Sequence, residues 1–155
     1  MTDYLLLKLV HILSATLLFG TGLGTAFYMW RADLSGDIQA IAVVSRNVVL
    51  ADWLFTTPAV IVQPLTGLWL IHLLGIQLDT TWVWLSLVLY GLVGFCWVPV
   101  VFIQIRVARQ AQRLAANGLP PDASHRRLMR YWYALGWPAF ISVLVIFWLM
   151  VFKPI

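Results

Sequence analysis

Few residues in this chain can do chemistry, and most of those sit in apolar surroundings. Lys8, His11 and Ser14 follow at intervals of three, so they share one face of a helix. An imidazole at lipid depth is costly, and neutral imidazole is the usual protein ligand of haem iron. His11 is therefore a candidate axial ligand for haem b, with Lys8 one turn nearer water and able to reach a propionate. The bland alternative is a histidine bonded to a neighbouring Ser, Thr or Tyr and holding two helices together, and a proton relay is a further use. His72 is the candidate for the opposite axial position. At 100° per residue, however, it falls on the far side of its helix from Asp52, Thr56, Gln63, Thr66 and Gly67. Pro58 and Pro64 offer a way to rotate the outer half of that helix; otherwise His72 is an interfacial side chain reaching for water.

Three further polar groups belong to the expected core. Asp52 either caps the first turn of its span or pairs with an arginine from the third connection. Gln63 needs a partner across the bundle, and Ser86, Tyr90, Trp97 and Gln104 share a face of the third span that offers one. Carbonyls freed by Pro58, Pro64, Pro99 and Pro138 also require donors. If Asp52 and Gln63 line a path through a proline-broken helix, the chain is instead a small oligomeric transporter.

The elements that must hold these residues follow from composition. Of 155 residues, 62% are hydrophobic and 10% charged, with nine Trp, one Cys and no Glu. A soluble domain carries far more charge, so lipid must solvate most of the chain. The single Cys96 excludes a disulfide framework and cysteine-based metal sites, and six scattered Asp give carboxylate-pair chemistry little to use. Crossing about 30 Å of hydrocarbon takes roughly 20 apolar residues, and four stretches qualify: 4–29, 52–75, 81–105 and 131–152. They run continuously apolar without alternation, which excludes barrel strands. The expected fold is all-α: a polytopic membrane protein, one domain over residues 1–155, built as a four-transmembrane-helix bundle.

Arg31 and Arg46 lie in the first connection, and Arg106, Arg109, Arg113, Arg126, Arg127 and Arg130 in the third; only Lys8 and Lys153 lie on the other side. Basic connections stay in the cytoplasm, so both termini are expected on the outer, periplasmic side of a bacterial inner membrane. Tyr4, Trp30, Trp53, Trp82, Trp84, Tyr131, Trp132, Tyr133 and Trp148 are expected to form the aromatic belts. Span one lacks a basic residue ahead of it and is long, so it is read as permanent rather than as a signal peptide. Residues 38–45 are expected as an interfacial helix, 106–116 as a helical continuation, and Asn117-Gly118 as a turn. Arg106, Arg109 and Arg113 share a face suited to lipid phosphates, or serve only as topology determinants. His125, between Ser124 and two arginines, is expected in solvent. Gly20 and Gly24 are expected to let span one pack closely on another span of the chain. No nucleic-acid module is present.

The stretches Leu5-Leu6-Leu7-Lys8-Leu9-Val10-His11-Ile12-Leu13-Ser14, Ala51-Asp52-Trp53-Leu54-Phe55, Gln63-Pro64-Leu65-Thr66-Gly67, Trp97-Val98-Pro99 and Gly136-Trp137-Pro138 resemble the bacterial membrane family catalogued as domain of unknown function 2269. That resemblance runs over nearly the whole chain and implies four spans without an activity. Lys8-x-x-His11 is also similar to a pattern in J-type protoporphyrinogen oxidases and copper-resistance D membrane domains. In the former this implies a haem link for His11 alone, and the likeness ends with the first span. Together these readings favour haem b binding through His11 for electron transfer with a redox partner. The alternatives are a cofactor-free partner subunit, homo-oligomeric or otherwise, and the transporter.

Overall fold

The computed structural model describes residues 2–154, and these form helices joined by short turns. Helix α1 spans Thr2–Ser35, α2 Ile38–Ala51, α3 Thr57–Leu73, α4 Thr81–Ala116 and α5 Ala123–Phe152. A π-helical turn, Asp52–Thr56, joins α2 to α3, so residues 38–73 form one continuous helix. Four helices are thus long and apolar enough to cross a membrane, as expected. They run antiparallel in sequence, since early α1 meets late α3 and the end of α1 meets the start of α5.

The first connection differs from expectation. Only Gly36 and Asp37 lie outside helix between α1 and α2, and the segment read as interfacial continues into the span. Gly36 takes φ +65°, and Asp37 caps α2 by accepting from Gln39 N at 2.9 Å. The expected turn at Asn117-Gly118 is present, with Gly118 at φ +64°. Thirty-six residues of α4 measure about 54 Å, against about 30 Å of hydrocarbon. The excess carries the arginines, so the helices extend beyond the apolar layer at the arginine-rich end.

That end also holds the two larger buried apolar clusters. Met29, Val48, Val100, Val107, Met129 and Trp132 form one buried cluster, and Ala32, Ile41, Ala42 and Ala111 a second. A smaller cluster of Trp82, Val83 and Leu149 closes the end that bears the termini. Between them, Phe19 stacks on Phe140 at 5.8 Å and meets Phe147 edge-on at 5.3 Å, joining α1 to α5. Two belt assignments need correction: Trp82 and Trp132 are buried, whereas Trp30, Trp53, Trp84, Tyr131 and Trp148 are exposed. The glycine expectation also fails. A Cβ placed on Gly20, Gly22 or Gly24 meets nothing within 4 Å, so this stripe packs on no other span of the chain.

Candidate functional site

His11 faces α3, as its helical phase requires. Gln63, Thr66 and Gly67 recur at spacings of three and one on α3, which puts all three on the side turned toward α1. Gly67 leaves room for the ring: a Cβ there would stand 3.2 Å from His11 Cε1. The Gln63 side-chain amide lies 3.1 Å from His11 Nε2, and Thr66 Oγ1 lies 2.8 Å from Nδ1. An amide NH2 only donates, so Nε2 accepts, and the neutral ring carries its proton on Nδ1. Nδ1–H then donates to Thr66 Oγ1, whose own proton goes to Val62 O at 2.8 Å. Both nitrogens are therefore committed within the chain.

The other expected members of this site lie elsewhere. Ser14 is buried but donates to Ala59 O at 3.1 Å, fastening α1 to α3 one turn away. Lys8 is exposed and its ammonium stands 5.8 Å from the Tyr4 ring centroid. His72 is exposed on the opposite side of α3, so the prolines do not rotate it toward His11. Gln63 finds its partner on α1 rather than on α4, and its Oε1 is buried without one among the described residues. The Asp52 side chain caps no helix N-terminus, because the second span is helical on both sides of it, and among the described residues it pairs with no arginine. Its carboxylate instead accepts from Thr56 Oγ1 at 2.9 Å, beside Gln104 of α4. Asp52 and Gln63 thus face different helices and do not line one path.

Tyr90 has a specific task. Pro64 cannot donate to the carbonyl four residues earlier, Val60 O, and Tyr90 Oη donates to that oxygen at 2.6 Å. Tyr90→Phe should therefore cost about 1 kcal/mol in detergent unfolding. In a Pro64→Ala background, where the backbone N–H returns, the same change should cost close to nothing.

A second polar group escaped the sequence reading. His125 is buried within α5, not solvated, and its Nε2 lies 2.9 Å from Asp33 Oδ1. Tyr133 Oη donates to Asp33 Oδ2 at 2.9 Å. One carboxylate at the end of α1 thus holds two residues of α5. Asp122 sets the start of α5 by accepting from His125 N at 2.8 Å. That backbone donor, with the Gln110 amide at 2.8 Å, holds the Asp122 carboxyl below its usual range. A depressed carboxyl contributes stability above its ordinary pKa and loses it as pH falls through the folded value. Asp122→Ala should therefore lower the melting temperature at neutral pH and flatten its decline below about pH 4.

The donor set does not suit an iron porphyrin as it stands. Gln63 occupies the only lone pair on His11, and His72 is exposed on the other side of α3. Comparison with known proteins decides the family. A family model described as "Predicted integral membrane protein (DUF2269)" matches residues 5–154. The chain belongs to this family. No curated protein and no solved structure matches it. Membership agrees with the four apolar helices and establishes a multi-pass integral membrane protein.

Proposed function

We propose that this DUF2269 protein is a cofactor-free helical subunit of a membrane assembly, in which His11 and its partners fasten α1 to α3. The observation that carries this reading is that both ring nitrogens of His11 are spent on residues of the same chain, Thr66 and Gln63. A histidine so used needs no external ligand to offset its burial. The unpartnered glycine face of α1 leaves room for a neighbouring helix, from a second copy or another protein. In this reading the arginine-rich end lies in the cytoplasm and both termini lie outside the inner membrane.

Haem b at His11, for electron transfer, is the competing reading. It is favoured by one feature: Nδ1–H is already donated to a hydroxyl, the arrangement that orients a metal-binding imidazole. It requires Gln63 to swing away from Nε2. An absorption spectrum of protein purified from haem-replete cells separates the two. The subunit reading expects no Soret band and co-purification with a stoichiometric partner or a homo-oligomer. A b-type band abolished in His11→Ala would overturn it.

A further inference from the structure

A groove of about 380 Å³ runs between α2 and α4 at the arginine-rich end, lined by Arg46, Val49 and Trp53 from one helix and Ile105, Ala108, Arg109 and Gln112 from the other. Its polarity is graded. The two helices are antiparallel here, so Arg46 stands level with Arg109 and Gln112, away from the membrane centre. Trp53 stands about 10 Å deeper than Arg46, and Ile105 about 6 Å deeper than Arg109, at helical rise. One end therefore offers two guanidiniums and an amide, and the other end offers an indole and aliphatic carbons.

Neither guanidinium is spoken for. Arg46 and Arg109 are exposed, and among the described residues neither lies within salt-bridge distance of a carboxylate. The nearest carboxylate in sequence, Asp52, is buried and bonded to Thr56. Two cations held on separate helices, above an apolar slot edged by the exposed Trp53, complement a phosphate carrying an acyl chain. Trp53 is 59% exposed beside that slot, the placement of an indole that lies against a chain near the headgroup level.

We propose that this groove binds one anionic phospholipid, its phosphate bridged by Arg46 and Arg109 and one acyl chain lying along Val49, Ala108, Ile105 and Trp53. The site lies at the opposite end of the bundle from His11 and does not depend on the subunit reading. The lipid would bridge α2 and α4 where they leave the apolar layer.

Native mass spectrometry of the full chain in detergent tests this, with dioleoyl phosphatidylglycerol, dioleoyl phosphatidylcholine and inorganic phosphate as probes. The expected result is a saturable single phosphatidylglycerol adduct, weakened about thirtyfold by Arg46→Gln with Arg109→Gln. Arg126→Gln with Arg127→Gln, which removes two charges outside the groove, should leave it intact. Val49→Phe, which narrows the slot and keeps both charges, should weaken it as well. Phosphatidylcholine should bind poorly, and millimolar phosphate should fail to displace the lipid. Equal loss in both arginine pairs would overturn the site in favour of diffuse charge. Unchanged binding in Val49→Phe, or displacement by phosphate, would overturn the acyl chain's part in it. If the double variant loses helicity by circular dichroism, Arg109→Lys asks the same question: it retains the charge, removes the fork, and is expected to weaken binding severalfold.

Discussion

Asp33→Ala is expected to lower the unfolding free energy by about 2 to 3 kcal/mol, a large effect for one exposed-end carboxylate. The substitution strips two partners at once. His125, 1% exposed, would keep a buried Nε2 with nothing to meet, and its Nδ1 already has no partner among the described residues. Tyr133 would lose its acceptor as well. The figure sits below that for a fully enclosed pair because Asp33 remains 21% exposed and water can take up part of the loss. Equilibrium unfolding in mixed micelles, followed by helicity, measures it. Tyr133→Phe should cost about 1 kcal/mol by the same assay, and in an Asp33→Ala background its cost should nearly vanish.

His11→Ala is expected to cost about 2 kcal/mol. Two interhelical hydrogen bonds go, each worth roughly 0.6 kcal/mol in a membrane, and the empty space left by the ring supplies most of the rest. The damage falls on α3, because the Gln63 amide would then have neither end paired. Gln63→Leu should cost less than His11→Ala, since it removes an orphaned oxygen together with the lost bond. The same unfolding assay ranks the two. Should the order reverse, with His11→Ala nearly neutral, the ring is not the fastening described here.

The spans were legible because continuous apolar runs leave no other solvent for the chain. The inward side of α3 was legible too, since Gln63, Thr66 and Gly67 share a phase, and the same geometry correctly set His72 apart. The continuation of α4 to Ala116 was legible as well, whereas the extent of the second and fourth spans at the arginine-rich end stayed hidden. Arg126, Arg127 and Arg130 mark residues 123–130 as a connection when residue types are counted along the chain. Position by position, His125, Met129 and Trp132 follow at spacings of four and three and are all buried. Ile41, Ala42, Ser45 and Val48 give the same signal across Arg46 and Asn47. Charged residues on one side of a helix thus masked an ordinary apolar stripe on the other. The partner of His125 was out of reach for another reason: Asp33 is 92 residues away in sequence.

The π-helical turn at Asp52–Thr56 gives the second span an unusual sensitivity to length. Thr57 N bonds to Asp52 O, five residues back, which accommodates one more residue than an α-turn would. Each residue advances an α-helix by about 100°. A chain one codon shorter within this turn would gain a more regular helix and lose its phase. Gln63 and Thr66 would then be turned a quarter-circle or more away from His11, while everything from Ile38 to Ala51 stayed seated. The irregularity acts as a gear between two halves of one helix, each cut to fit a different neighbour.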